Sequence, residues 1–384
     1  MKVAGEWLSN SNTQAVCRAL TGAGHQALFV GGCVRNALLG APVSDIDIAT
    51  DATPETVSNI CKAAGFKVVP TGFEHGTVTV INGGIPHEIT TFRHDVETDG
   101  RHATVAFSRE VEDDARRRDF TMNALYADAM GQVIDPLGGL PDLESRRVRF
   151  IEDPAQRIEE DYLRILRFFR FHAWYGDDAE GLDPEGLAAI ATHLDGLERL
   201  SRERVGAEVL KLLRAPDPAP SVAAMDASGV LPRILPGASP RGLGLLIHFE
   251  QQQGVDPDPL RRLAVLGGDE PSDLLRLSKK QSRTLSKLRE GMASMTSATE
   301  LGYRHGAQLA RSILLLRAAL FETPPQPSDF DMAELGAKSN FPIKPADLMP
   351  TLQGPDLGRR LAMLEQEWIA SGFLLTREEL LNRI

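Results

Sequence analysis

The sequence predicts an α+β protein, with a small sheet and its helices over residues 1–147 followed by an all-α remainder. Three observations carry that prediction. Short runs rich in β-branched residues crowd the first 147 positions, where glycines separate them. Stretches with helical character lie between those runs. From the segment EDPAQRIEEDYLRILRFFRFHAWYG, Glu152 to Gly176, the strand signals fade, and amphipathic helices take over.

Taken in order, ALFVGG, SDIDIAT, FKVV, GTVTVI and HEITTF read as strands with alternating or fully apolar patterns. Helices are expected near 10–20, 34–40 and 54–64. In the second part, Pro/Gly breaks at RAPDPAPS, LPGASPRG and TPPQPSD separate the helices. No fixed-period repeat or low-complexity tract occurs. A catalytic head with a long helical extension suits a macromolecular substrate held at a distance from the chemistry.

The bulk properties exclude several classes. A chain of 384 residues with 42% hydrophobic and 25% charged residues is an ordinary folded protein, long enough for two to four units. Cys17, Cys33 and Cys61 lie in no CxxC or metal-ligand spacing, which argues against a disulfide framework or structural zinc and fits a reducing cytoplasm. The start, MKVAGEWLSNSN, has no apolar core behind its lysine, so no signal peptide is expected. No run approaches the ~18 apolar residues that span a bilayer. The net charge of −11 does not by itself favour a nucleic-acid partner, but local patches rather than the sum decide such binding.

The densest chemistry lies in FVGGCVRNALLGAPVSDIDIAT, Phe29 to Thr50. As a strand, SDIDIAT places Asp45 and Asp47 on one face and Ile46 and Ile48 in the core. Paired carboxylates hold a hard cation such as Mg²⁺ and leave room for phosphate oxygens. Two solvated aspartates at a strand edge have the same spacing. VGGCVRNALLG reads as strand, tight turn and helix. Gly31 and Gly32 let backbone N–H groups approach an anion, the helix points its positive end there, and Arg35 offers a charged fork. An ordinary βα turn fits the same residues, and the GxxxxGK[ST] spacing of a P-loop is absent. Glu88 in PHEITTFR becomes a third carboxylate of the site only if its strand neighbours that of Asp47. In RRRDFTMNALYAD, Arg116 to Arg118 precede Asp119, Thr121 and Asn123, types that suit triphosphate and ribose contacts; a basic surface helix start is the plainer reading.

GGxVR, DxD, RRDFTxNA, DPLGGLPDL and EDYLRILRFFRF occur here in the order found in class II tRNA nucleotidyltransferases and bacterial poly(A) polymerases. On these motifs, which span roughly residues 28–214, the chain resembles that family, of the polymerase-β superfamily, and above all its CCA-adding members. The tail GPDLGRRLAMLEQEWIASGF is a looser match. Asn36 departs from the family, which commonly has aspartate after the arginine. The resemblance implies a nucleotidyltransferase head (1–147), a helical neck with a base-selecting helix (148–215), and a helical body and tail that bind tRNA (216–384), the all-α part being elongated. It implies two Mg²⁺ ions placed by Asp45, Asp47 and Glu88, a triphosphate held by Gly31, Gly32 and Arg35, and a nucleotide placed by Arg118, Asp119 and Asn123. A mobile loop is implied over RHDVETDGRHATVAF, where Arg101 is a candidate for switching from C to A. His94-Asp95 reads as loop, lacking the further His and Asp of a phosphohydrolase.

The family's base-reading motif falls on Glu160, Asp161 and Arg164. On one continuous helix, Arg157, Asp161, Arg164 and Phe171 would share a stripe, while Ile158, Ile165, Leu166 and Phe169 pack. An Asp accepts and an Arg donates. Cytosine and adenine both present an amino group beside a ring-nitrogen acceptor, whereas uracil and guanine present a carbonyl beside an N–H. The pair therefore accepts C and A and leaves U and G unsatisfied. A surface salt bridge is the plainer reading. In RLSKKQSRTLSKLRE, a helix capped by Ser278 puts Lys280, Arg283 and Lys287 on one face, suited to tRNA phosphates or simply to solvent. Glu203 and Arg204 in LSRERVGAEVLKLL are expected to brace the base-reading helix. The reaction implied is template-independent addition of C, C and A to tRNA from CTP and ATP, with no membrane and no obligate protein partner. A poly(A) polymerase or a CC-only or A-only enzyme shares the same motifs. A silent RNA-binding protein and a DxD sugar transferase leave intact Asp45, Asp47, Asp161 and Arg164, or the RRDFTxNA stretch, without a purpose.

Overall fold

The computed structural model describes residues 1–99, 102–177, 179–349 and 352–383; Arg101 lies outside them. The chain forms two compact units, Met1–Leu212 with Pro220–Ile234, and Leu213–Ala219 with Leu235–Ile384. Among the described residues, no helix is long and apolar enough to cross a membrane.

Among the described residues the first unit has the strands β1 (Leu28–Val30), β2 (Asp47–Thr50), β3 (Lys67–Gly72), β4 (Thr77–Asn82), β5 (Ile85–Thr91), β6 (Arg93–Asp99), β7 (His102–Phe107), β8 (Tyr126–Ala127) and β9 (Val133–Ile134). The sheet order is β3-β4-β5-β2-β1-β8-β9, and β6 and β7 pair separately. The parallel neighbours β2 and β5 sit at the centre, with Asp47 opposite Glu88 and Ile48 opposite Ile89. Parallel pairing needs a crossover. The helix Pro54–Ala63 begins it; the Thr53 hydroxyl accepts the Thr56 N–H, and Pro54 sits in the first turn, where its missing N–H is harmless. Strand alternation sends His87 to the other face from Glu88. His87 is fully buried, bonded to Thr13 at 3.0 Å and to the Val80 carbonyl at 3.2 Å. The helix Ser11–Gly22 thus covers the face away from the carboxylates.

A phenylalanine cluster joins the helix Leu163–Tyr175 to the bridged residues Phe120 and Phe150. Phe150 stacks on Phe168 at 5.5 Å, and Phe120 meets Phe150 and Phe171 at 5.0 and 5.1 Å. The continuous base-reading helix expected from periodicity is instead two helices, Pro154–Glu160 and Leu163–Tyr175. Asp161 between them is extended, and its carboxylate accepts the Leu163 N–H at 3.1 Å. An aspartate that caps the next helix competes with helical continuation, and here the cap wins. The stripe of Arg157, Asp161, Arg164 and Phe171 therefore does not exist as one helix face. Ile158, Ile165, Leu166 and Phe169 are buried as expected.

The second unit is helical. Glu250, buried, pairs with Arg261 and Arg262 at 2.7 Å each, and Arg262 also donates to the Leu213 carbonyl at 2.9 Å. Such a network is costly to bury and survives because each charge is bonded. The helices Ala298–His305 and Pro327–Lys338 meet backbone to backbone. A Cβ on Gly302 would stand 1.9 Å from the Ala333 carbonyl oxygen, and one on Gly336 would stand 1.9 Å from that of Thr299. Gly302→Ala is expected to destabilise the protein by about 1–3 kcal/mol or more in denaturant melts, because the obstacle is backbone. Gly358→Ala, in an exposed helix position with open space around it, is expected to gain roughly 0.5–1 kcal/mol. Equal midpoints for the two variants would contradict the close helix packing.

Candidate active site

The β2–β5 register supplies the neighbouring strand that Glu88 required. Asp45, Asp47 and Glu88, with Ser44, Ile46, Thr79 and Pro86, line one cavity of 440 Å³. Asp45 precedes the strand and is exposed, its carboxylate accepting the Ser44 hydroxyl at 3.0 Å. Burial, then the charges of Glu88 and Asp45, push the Asp47 carboxyl up from 3.8 to about 6, against the pull of Arg118. A carboxylate made hard to ionise by burial and by its acidic neighbours, in a cavity they share, belongs to a donor set in want of a cation. Among the described residues, no three His, Cys, Asp or Glu side chains enclose a metal by themselves. Mg²⁺ in phosphoryl-transfer sites takes one or two carboxylates and fills its shell with water and substrate phosphates, so these residues fit it.

Gly31 ends β1 at φ +69° and opens the helix Gly32–Leu38, which has no side-chain cap over its first turn. A Cβ at Gly31 would lie 3.5 Å from Arg118 Nη1, so the turn and the Arg118 guanidinium face one another. Arg35 is placed otherwise than as an open fork. It is buried, donates to Asn123, Asn36 and the Tyr175 hydroxyl (2.8 Å), and lies 4.0 Å over the Tyr175 ring. Its role in this arrangement is to tie the glycine turn to the helix Leu163–Tyr175.

The arginine run is anchored by a residue that the sequence reading passed over. Asp114, with no exposed surface, accepts from Arg117 at 2.7 Å, Arg118 at 2.9 Å and the Tyr126 hydroxyl at 2.7 Å. Burial opposes its charge, but Arg118 and Arg117 hold the carboxyl well below the usual range. Asp119 is likewise buried, and accepts from Asn123 at 2.9 Å and Arg167 at 2.6 Å. Burial opposes ionisation there too, and Arg167 with Asn123 outweighs it. The spacing of Asp114 from Arg117 and Arg118, three and four residues along a helix, was the available signal. Arg167 had no such signal, because its partner is distant in sequence.

Asp161 and Arg164 line a second cavity, of 280 Å³, with Arg117, Arg118, Asp119, Leu163, Arg167 and Arg204. Arg164 donates to Glu160 (2.5 Å) and to the carbonyls of Arg157 (2.7 Å) and Arg117 (3.1 Å). Asp161 accepts from Arg204 at 2.6 Å. Arg157 and Glu160 face a different cavity, with His94, Asp113, Arg116, Arg117 and Gln156. They hold Arg164 from behind. In the second unit, Ser278 caps the helix Lys279–Ala293 in a reciprocal capping box with Gln281, and Lys280, Arg283 and Lys287 are all exposed on it.

The fold that carries these groups is that of the polymerase-β nucleotidyltransferases, whose members generally use divalent metal ions. The family described as poly A polymerase head domain matches residues 27–149, and that described as probable RNA and SrmB-binding site of polymerase A matches 181–241. The chain is 31% identical over 396 residues to CCA tRNA nucleotidyltransferase 1, mitochondrial, of Mus musculus, covering 94% of this chain and 86% of that protein. It is 46% identical over 225 residues to a CCA-adding enzyme of Streptococcus pyogenes, 58% of this chain and 54% of that one. The crystal structure of the Bacillus stearothermophilus CCA-adding enzyme in complex with CTP superposes with a TM-score of 0.76 at 28% identity, over 97% of this chain and 96% of that one. This protein belongs to the CCA tRNA nucleotidyltransferase family.

The raised Asp47 carboxyl destabilises the fold wherever it is ionised. Below 3.8 it is protonated folded and unfolded and imposes no penalty; the penalty grows as pH rises and is complete above about 6. Asp47→Asn is therefore expected to raise the melting temperature at pH 7.5, and the gain should vanish toward pH 3.5. Mg²⁺ should raise the wild-type melting temperature at pH 7.5 more than that of the variant. An equal Mg²⁺ response in both would remove Asp47 from the metal site.

Proposed function

We infer that this protein adds C, C and A to the 3′ end of tRNA from CTP and ATP, without a nucleic-acid template, releasing pyrophosphate. The observation that carries the reading is that Asp161 and Arg164 line one cavity with Arg118, whose charge also reaches Asp47 of the carboxylate cavity. A protein-made base reader thus lies beside phosphoryl-transfer groups. The relatives named above, matched over most of the chain, support it. A poly(A) polymerase would use the same site, and the product distinguishes the two.

Two Mg²⁺ ions held at Asp45 and Asp47, with Glu88 beside them, would lower the pKa of the RNA 3′-hydroxyl and neutralise charge on the departing pyrophosphate. The glycine turn and Arg118 receive the triphosphate. Asp119 keeps Arg167 and Asn123 in place around the nucleotide. Asp161 accepts from the amino group that cytosine and adenine share, and Arg164 donates to the adjoining ring nitrogen. Both are already held in place by protein partners, so little ordering is left for binding. The exposed stripe of Lys280, Arg283 and Lys287 takes tRNA phosphates. The three cysteines are free and buried, which suits the reducing cytoplasm as the site of action.

A tRNA transcript lacking its 3′ end, incubated with CTP and ATP and Mg²⁺, should gain two C residues and one A and then stop. Long A tails from ATP alone would instead make the protein a poly(A) polymerase. Asp161→Ala should admit UTP and GTP, and retained selectivity would sink the base-reading assignment. Charge reversal at Lys280, Arg283 and Lys287 should raise the KM for tRNA and flatten the slope of log affinity against log salt by about 2–3 for three lost contacts. An unchanged slope would return them to plain surface.

A further inference from the structure

The segment from Asp114 to Asp119 touches both halves of the nucleotide site. Its side chains reach toward the catalytic carboxylates: Arg118 lies against the Gly31 turn and pulls on the Asp47 charge. Its main chain reaches the other way. The Arg117 carbonyl accepts from Arg164 at 3.1 Å and the Arg116 carbonyl accepts from Arg157 at 2.8 Å. One buried carboxylate, Asp114, grips Arg117 and Arg118 together and lines neither the carboxylate cavity nor the cavity of Asp161 and Arg164.

Asp114 is in turn held by the Tyr126 hydroxyl at 2.7 Å. Tyr126 lies in β8, directly opposite Val30, the residue before the Gly31 turn. Arg118 Nε also donates to the Tyr126 hydroxyl at 3.2 Å. The chain of bonds runs from the sheet through Tyr126 and Asp114 to both arginines, and from the Arg117 carbonyl to Arg164. No step in it is longer than 3.3 Å.

Resting on the proposed function, we propose that Asp114 is a positioning residue that keeps phosphate binding and base selection in register. It acts through Arg118 on the triphosphate side and through Arg117 on Arg164. A carboxylate bonded by two guanidiniums and a phenol holds both arginines through charge-assisted bonds, which a neutral side chain does not supply. Loss of its charge releases two arginines at once and frees the loop that carries the Arg164 acceptor.

The test uses the full-length protein and two variants. Asp114→Asn keeps the shape and removes the charge; Tyr126→Phe keeps the charge and removes one bond to it. For each, kcat and KM are measured with CTP and ATP, incorporation of UTP and GTP is scored, and equilibrium binding of CTP and UTP is measured without tRNA. Asp114→Asn is expected to lower kcat/KM for CTP and ATP about tenfold or more, the range for a lost charged hydrogen bond. The CTP-over-UTP binding preference should shrink with it, and Tyr126→Phe should shift both in the same direction by less. A merely structural Asp114 would lower the melting temperature while kcat/KM per folded molecule and the CTP-over-UTP preference stayed at wild-type values, and that result overturns the proposal. If Asp114→Asn does not fold, Tyr126→Phe decides: wild-type selectivity and KM there overturn it as well. A wild-type protein that adds no C or A to tRNA would fail the proposed function itself, a separate outcome from normal wild-type activity with unaffected variants.

Discussion

The rest of the first unit depends on the parallel pairing of β2 with β5. That register sets Asp47 beside Glu88, and strand alternation then decides everything on either side. Glu88 goes to the cavity, His87 to the buried face beneath the helix Ser11–Gly22. A slip of one residue would exchange them, putting an imidazole in the cavity and a carboxylate in the core. The buried contacts of His87 and the apolar Ile48–Ile89 pair hold the register against that slip. The carboxylates repel one another, so the sheet keeps together groups that would otherwise separate.

Charge is handled in a second way around the cavity of Asp161 and Arg164. There buried Asp114 and Asp119 and half-buried Glu160 are paired with arginines, and each of their carboxylate oxygens has a guanidinium or amide on it. Burying such pairs contributes little net stability, but it leaves each side chain one orientation. The phenylalanines around Phe120 and Phe150 supply the apolar contact that fixes the helix Leu163–Tyr175 against this layer. Repulsion on one side and saturation on the other divide the site into a half of unpaired carboxylates and a half whose acids are already bonded to arginines.

Much of this was legible in the sequence. Strands β1 to β5, the glycine turn and the DxD spacing are local features that survive into the fold, whereas the stretch with His94 and Asp95, read as loop, forms the paired strands β6 and β7. The cap at Ser278 was readable for the same reason. What escaped were the consequences of contact. Periodicity ran straight through Asp161, because a side chain that caps its own backbone looks no different in a 3.6-residue pattern. Arg35 read as an open fork because nothing in its neighbourhood announces Tyr175, 140 residues away. Asp114 was hidden among four acids, although its spacing to two arginines was in view. Glu88 was the intermediate case: its residue type and strand were legible, and its partner strand was not.

The cavity shared by Asp161 and Arg164 has a consequence for information. An acceptor beside a donor distinguishes two edge patterns, so under the proposed function the pair transmits one binary digit. It discards two of four nucleotides and is blind to the difference between those it keeps. Writing C, C, A requires a second digit, purine against pyrimidine, and that digit has no hydrogen-bond signature on this edge. That digit must come from groups other than Asp161 and Arg164, at another part of the base.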